Sequence, residues 1–200
     1  MTQIAIILGS TRKVAAGQFI FDYLKQHAPK MDNIDYQWLD LKKYQLPFYN
    51  HSETPLAQPL TDLTTNEKNW LNALKQADGY LILTPEYDHA LPGELKNALD
   101  YVGPEVARKP VQILSYTSYS DGGVLAAESL VPILQMLKTL VLPNPILISQ
   151  VNDNFAADGR LLATAPSGDY YAQRLTNGIK ELIFYSQLLK THPFHSPYDV

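Results

Sequence analysis

Short, almost continuously apolar runs punctuate this chain. Ile4-Ala-Ile-Ile-Leu8, Tyr80-Leu-Ile-Leu83 and Val111-Gln-Ile-Leu-Ser115 have this character, the pattern of strands buried on both faces. Residues 33–41 mix apolar and polar positions around Ile34, Tyr36, Trp38 and Leu39, which predicts a strand nearer the sheet edge. Asn144-Pro-Ile-Leu-Ile-Ser149 predicts a fifth strand. Between the runs, apolar residues recur at helical spacing: Phe19, Ile20, Tyr23 and Leu24; Trp70, Leu71, Leu74 and Ala77; Leu95, Leu99 and Val102; Leu125, Leu130, Ile133, Leu134, Leu137 and Leu140; Leu175, Ile179, Leu182, Ile183 and Leu188. Thr65-Asn66-Glu67 precedes the second helix, and Asp78-Gly79 closes it, glycine being the usual residue past a helix end. Thr84-Pro85 ends the third strand, because proline has no N–H and a fixed φ. Pro92 suits the first helical turn after it. Pro132 falls inside a helical pattern and predicts a kink or a late start. Residues 42–63 hold Pro47, Pro55 and Pro59 and show no period. Such a long irregular segment is either a lid or interface flap, or a plain connector.

The predicted order alternates strand and helix five times, which argues a parallel sheet with helices on both faces. Right-handed crossovers leave two common arrangements, the Rossmann and flavodoxin orders. Five strands and a polar loop directly after the first favour the second. The expected fold is α/β, a flavodoxin-like three-layer sandwich around a five-stranded parallel sheet of order 2-1-3-4-5. No repeat or linker interrupts the chain, so residues 1–190 read as one domain and residues 191–200 as an irregular tail.

Composition narrows the function classes. The net charge is −4, without long charged runs, which argues against nucleic acid or an anionic membrane as partner. There is no cysteine, hence no disulfide, thiolate metal site or thiol nucleophile. His192 and His195 lack a second-ligand pattern, so no metal site is expected. No apolar run approaches the ~20 residues of a membrane span, and the chain opens on a strand without a basic leader; a cytoplasmic protein is expected. Thirteen tyrosines predict an aromatic surface for stacking or an interface.

Candidate chemistry gathers on three loops, residues 9–18, 85–92 and 115–123. In a 2-1-3-4-5 sheet the strands before them are neighbours, and ligands bind at the carboxyl edge where the strand order reverses. In Gly9-Ser10-Thr11-Arg12 the glycine permits a sharp turn. Hydroxyls and the following helix N-terminus offer donors to an anion, and Arg12 adds a forked cation; the alternative is an ordinary turn with one surface arginine. Neither the dinucleotide glycine spacing nor a Gly-Lys-Ser/Thr triplet is present. The second and third loops supply backbone amides and aromatics suited to a flat ring. The combination suits a mononucleotide bearing a planar heterocycle, with FMN the natural candidate. Such a cofactor carries its own hydride chemistry, so no catalytic side chain is required.

Two stretches carry a family likeness: Gly9-Ser10-Thr11-Arg12, and Thr84-Pro85-Glu86-Tyr87-Asp88-His89-Ala-Leu-Pro92-Gly93-Glu-Leu-Lys96-Asn97-Ala-Leu-Asp100. The chain resembles the NADPH-dependent FMN reductase family, the flavodoxin-like quinone, azo and chromate reductases, through nearly its whole length. The resemblance implies that Ser10, Thr11, Arg12, Gln18 and Phe19 surround the FMN phosphate and ribityl chain. It implies that Pro85, Glu86, Tyr87 and Asp88 lie along the isoalloxazine ring, and that Ser115, Tyr116, Gly122 and Gly123 close its other edge. It further implies NADPH or NADH as reductant, a small-molecule acceptor such as a quinone, azo compound or free flavin, ping-pong turnover, and a homodimer; Tyr101, Tyr119 and Phe48 are candidate interface residues. Lys96, Asn97 and Asp100 read as structural. The family usually has asparagine where this chain has Asp88, and often serine or arginine where it has Ala15; residues 116–121 form a longer loop than usual. Two alternatives stay open: a flavodoxin-like electron carrier, and a flavin-gated interaction protein with weak turnover. His89 and Glu86 are candidate proton donors in the ring loop, and His51 a candidate lid residue.

Overall fold

A computed structural model of the chain describes residues 1–195. Residues 196–200 of the expected irregular tail lie outside the described residues. The strands are β1 (Thr2–Leu8), β2 (Ile34–Asp40), β3 (Gly79–Pro85), β4 (Pro110–Tyr116), β5 (Leu140–Val141) and β6 (Ile146–Ile148). The helices are α1 (Ala16–His27), α2 (Leu41–Tyr44), α3 (Thr65–Gln76), α4 (Gly93–Asp100), α5 (Val124–Met136), α6 (Val151–Asn154) and α7 (Gly168–Thr191), with one 3₁₀ turn at Pro104–Val106. The sheet order is β2-β1-β3-β4-β5, with β6 also paired to β4, and every pairing is parallel. The flavodoxin-like order expected from the sequence is the one observed.

Strand alternation sorts the core into two layers. Ala5, Ile7, Tyr80, Ile82, Val111 and Ile113 point to one face, where they meet Trp70, Leu74, Leu95, Leu130 and Leu134 of α3, α4 and α5. Ile4, Ile6, Leu8, Leu81, Leu83, Leu114 and Tyr116 point to the other, against Ile20, Leu24, Leu175, Ile179 and Leu182 of α1 and α7. This alternation decides which loop-proximal side chains reach which helix.

Several local expectations need correction. The expected fifth strand, residues 144–149, is β6, only three residues long, and an unexpected two-residue piece, β5, precedes it; both lie alongside β4. Pro143 and Pro145 between them cannot donate to a ladder. The third strand ends at Pro85, as expected, with Pro85 still in register with Tyr116. Helix α3 is started by Thr64, not by the residues after it: Thr64 Oγ1 accepts from the Glu67 amide while Glu67 returns to the Thr64 amide, a capping box. Gly79 does not cap that helix. It opens β3, where a Cβ would lie 2.1 Å from Ser186 Oγ of α7, so it serves close packing. Pro92 precedes α4 in an extended conformation instead of sitting in its first turn. Helix α5 starts before Pro132, so the proline does not delay it, and Leu140 belongs to β5.

Residues 42–63, expected to lack structure, begin in α2 and then run as a strap against α3 and α4. Tyr49 N donates to Asn97 Oδ1 at 2.9 Å, while Asn97 Nδ2 and Tyr101 Oη both donate to Pro47 O, at 2.8 and 2.9 Å. His51 Nε2 lies 3.2 Å from Glu67 Oε1. The Tyr49 and Tyr101 rings meet edge to face at 5.1 Å. Burial alone would raise the Glu67 carboxyl; the Thr64 amide and hydroxyl, His51 and Tyr101 outweigh it and hold it below the usual value. The Tyr101 phenol is pushed up to about 12 by burial and by facing Glu67. The tyrosines divide between core and surface: Tyr23, Tyr80, Tyr101, Tyr116 and Tyr171 are buried, whereas Tyr119 and Tyr170 are exposed. Tyr101 is therefore not interface material, whereas Phe48 and Tyr119 are 86% and 78% exposed. No helix among the described residues is long and apolar enough to cross a membrane.

Candidate functional site

Because β1, β3 and β4 are adjacent and parallel, their following loops meet at one edge. There they enclose a cleft of about 280 Å³, lined by Ser10, Arg12, Ala15 and Ala16 from the first loop, Pro85, Glu86 and Tyr87 from the second, Tyr116, Thr117, Ser118 and Tyr119 from the third, and Val151 of α6.

One end of the cleft is rich in donors. Helix α1 has Ala15 at its N-cap, no side-chain cap and no acidic residue in its first turn. Its leading amides are thus without helical partners, at the positive end of the helix dipole. Gly9 N donates to Leu83 O at 2.9 Å, and a Cβ there would meet that oxygen at 2.8 Å, so the loop can hug β3 only with glycine. Ser10 Oγ shares a 3.1 Å hydrogen bond with Tyr87 Oη. The Arg12 guanidinium stands 6.0 Å from the centre of the Tyr87 ring, at the outer range of a cation–π contact. Below them lies Tyr116, 3% exposed. Its hydroxyl has no hydrogen-bond partner among the described residues, and burial drives its ionisation up.

The other end is a backbone frame. Glu86 N donates to Tyr116 O at 3.2 Å, and Tyr87 and Ala90 exchange backbone hydrogen bonds of 2.9 and 3.0 Å. Between them Asp88 and His89 both have positive φ, 50° and 64°, the signature of a type I′ turn. Aspartate is one of the few side chains that tolerate this region. Glu86 turns inward: Oε2 accepts from the Ala126 amide in the first turn of α5 at 3.1 Å, and Oε1 lies 3.3 Å from His89 Nδ1. The carboxylate caps α5 from a different loop, at the helix end where negative charge is favoured. Ser115, on the opposite strand face from Tyr116, donates to Gly123 O at 2.6 Å. Gly122 and Gly123 have φ of 68° and 77°, and a Cβ on Gly123 would strike Ser115 Oγ at 2.3 Å. The third loop is tied to α6 by Gln150 N to Tyr119 O at 2.9 Å, Val151 N to Thr117 O at 3.0 Å and Asn152 Nδ2 to Ser118 Oγ at 2.9 Å. The Tyr119 ring is left in solvent at the mouth.

The structure thus brings Ser10, Arg12, Pro85, Glu86, Tyr87 and Tyr116 together. Gln18 and Phe19 line an adjoining recess of about 200 Å³ on the β2 side, with Arg12, Asp40 and Lys42. Thr11 turns away: its amide and hydroxyl both donate to Glu94 Oε1, at 3.4 and 3.1 Å. Asp88 is exposed outside the cleft, and Ser115, Gly122 and Gly123 are buried beneath it. Ala16, Thr117, Ser118 and Val151 are cleft residues with no mark in the sequence. Small residues at a helix start and two hydroxyls in a loop give no distinctive signal, and α6 is a single turn of four residues, too short to show a period. Among the described residues, none of 43–63 lines the cleft; they line other cavities.

The donor set fits a phosphate-bearing planar group: uncapped helix amides, Arg12 and a buried, unpartnered phenol at one end, backbone and aromatic surfaces at the other.

Residues 2–153 match the family described as NADPH-dependent FMN reductase. The chain is 31% identical over 184 residues to an NAD(P)H-dependent FMN reductase of Nectria sp, covering 84% of this chain and 90% of that protein. It is 28% identical over 189 residues to an NADPH azoreductase of Bacillus sp. (strain OY1-2), covering 94% of each. Among solved structures, it is similar to FerB, a flavoenzyme NAD(P)H:(acceptor) oxidoreductase from Paracoccus denitrificans, with a TM-score of 0.73 and 20% identity over 94% of this chain and 98% of that one.

Proposed function

The chain belongs to the NADPH-dependent FMN reductase family, and from that premise we propose that the cleft at the carboxyl edge holds FMN and runs NAD(P)H-dependent reduction of a planar small-molecule acceptor, a quinone, an azo compound or free flavin. The chain is an oxidoreductase with FMN as cofactor and NAD(P)H as reductant. FMN, when bound, supplies the hydride acceptor and donor chemistry.

The protein's part is to bind, orient and exclude. The α1 amides, Ser10 and Arg12 take the phosphate end, and Gln18 and Phe19 flank it. Pro85, Glu86 and Tyr87 offer backbone along the ring, with Glu86 itself engaged as a helix cap instead of moving a proton. Asp88 acts through the turn it holds. Thr11, Ser115, Gly122 and Gly123 support the loops. Reductant and acceptor would need the same exposed face of the bound ring and so use it in turn, which implies ping-pong kinetics. We place a homodimer contact near the apolar groove of about 510 Å³ lined by Leu56, Leu99, Ile133 and Met136, beside exposed Phe48; Met136→Asp should leave a monomer on sizing with light scattering.

The observation that carries this reading is the convergence of an uncapped helix terminus with Arg12 and an aromatic loop pair at the switch point of the sheet. The test is the absorption spectrum of the purified protein, followed by anaerobic NADPH and then a quinone. Flavin bands that bleach and then return are expected. Bands that persist under NADPH would overturn turnover and favour an electron carrier; no flavin after soaking with FMN would overturn the site.

A further inference from the structure

Tyr116 combines three features that no structural role explains. It is 3% exposed, its hydroxyl is buried without a partner among the described residues, and it ends a strand on the face that meets α1. The phenols of Tyr80 and Tyr101, buried as deeply, are paired: Tyr80 Oη donates to Leu74 O at 2.6 Å and Tyr101 Oη to Pro47 O at 2.9 Å. A buried hydroxyl left unpaired costs stability, and phenylalanine would fill the same space without that cost.

The surroundings say what the hydroxyl faces. The Gly17 amide and Ser10 Oγ are the polar groups nearest to it, both placed to favour the oxygen's negative charge, and neither completes a hydrogen bond with it. A Cβ on Gly17 would stand 2.2 Å from the phenol oxygen, so the phenol reaches the first turn of α1 only because residue 17 is glycine. That first turn is uncapped and carries no acidic residue, and Arg12 overhangs the same cavity. Ser10 Oγ is already engaged with Tyr87 Oη and the Arg12 amide, and the remaining groups around the phenol are donors. An anion with several oxygens is what such a set lacks.

We propose that the Tyr116 hydroxyl donates to the phosphate of the bound mononucleotide, making this residue the one that sets preference for the phosphorylated flavin over its unphosphorylated form. The inference rests on the FMN reading above and deepens it. The fourth strand thereby contributes to phosphate binding from underneath, opposite Arg12. The hydroxyl keeps its proton over the ordinary working range of pH, and so remains a donor.

The test compares wild type with Tyr116→Phe, a substitution that removes one oxygen. FMN and riboflavin are titrated separately into the apoprotein, followed by quenching of flavin fluorescence. Inorganic phosphate is tested by thermal melting of both apoproteins. Expected are an FMN affinity about ten-fold weaker in the variant, the size of one hydrogen bond to a charged group, an unchanged riboflavin affinity, and a smaller rise in Tm with phosphate. The apo variant should melt no lower than wild type. Equal loss for both flavins would overturn the proposal, placing the phenol against the ring or ribityl chain. Unchanged FMN affinity would also overturn it, leaving the hydroxyl without a ligand role. Wild type that binds neither flavin would instead overturn the functional reading, and this inference with it.

Discussion

Tyr101 and Tyr116 are both buried at the ends of their elements, yet they do opposite things. Tyr101 sits under the strap of residues 42–63, where each polar group found one answer. Its hydroxyl goes to Pro47 O, Asn97 serves both Tyr49 and Pro47, and Glu67 holds Thr64 and His51. Tyr116 sits under the cleft, where α1 has no cap and the phenol no partner. A region built for stability closes its hydrogen bonds within itself. A region built to receive something leaves donors open and accepts the cost. The strap closes on α3 and α4 whereas the cleft is built from the loops after β1, β3 and β4, so perturbing one should leave the function of the other intact.

The largest test of that separation is Glu67→Ala. It deletes half of a capping box and leaves the Thr64 amide and His51 without their carboxylate. We expect a loss of about 3 kcal/mol in urea unfolding, the sum of a cap and a buried unsatisfied donor, with FMN affinity unchanged in the fraction that stays folded. A parallel loss of FMN affinity would mean that strap and cleft are one unit. The same carboxylate gives the acid response its sign. Its folded-state pKa lies below the ordinary carboxylate value, so its contribution is full above about pH 4.3 and is lost as pH falls through the folded value. Glu67→Gln should flatten that part of the acid unfolding curve.

Arg12→Ala tests the other side. Arg12 is exposed, and its loss should change folding by less than about 0.5 kcal/mol, as for surface substitutions generally. FMN binding should weaken about thirty-fold, roughly 2 kcal/mol for a charge-assisted contact, read by fluorescence titration.

The two regions also differ in how far the sequence disclosed them. The strands announce themselves because their apolar runs must be buried on both faces, and the loops that follow fall at the switch point by topology alone. That brought Ser10, Arg12, Pro85, Glu86, Tyr87 and Tyr116 into view together. Side-chain direction was not legible. Thr11 and Glu86 look like ligand residues in a linear reading, but Thr11 is held by Glu94 and Glu86 by the Ala126 amide, contacts across 83 and 40 positions of the chain. The strap was the least legible region: prolines conceal any period, and its anchors Asn97, Tyr101 and Glu67 belong to helices whose pattern explains only their apolar neighbours. Tyrosine count could not separate core from surface, for a related reason. A phenol is a surface group or a core group according to whether an acceptor such as Pro47 O lies in reach, and composition carries no such information.

The finest test sets the two phenols side by side, each shortened to phenylalanine in the apoprotein. Tyr101→Phe strands the carbonyl of Pro47 with one donor fewer and removes a phenol from the Glu67 network; it should lower stability by about 1 kcal/mol, the usual net worth of one buried hydrogen bond. Tyr116→Phe removes an oxygen that bonds to nothing, so stability should stay level or rise by up to about 1 kcal/mol, the desolvation cost recovered. Opposite signs from one chemical change, measured by the same urea melts, are what the contrast between a closed and an open network requires. Equal destabilisation would mean that the Tyr116 hydroxyl has found a water or the Gly17 amide in solution, and the cleft would then be closed within itself as the strap is.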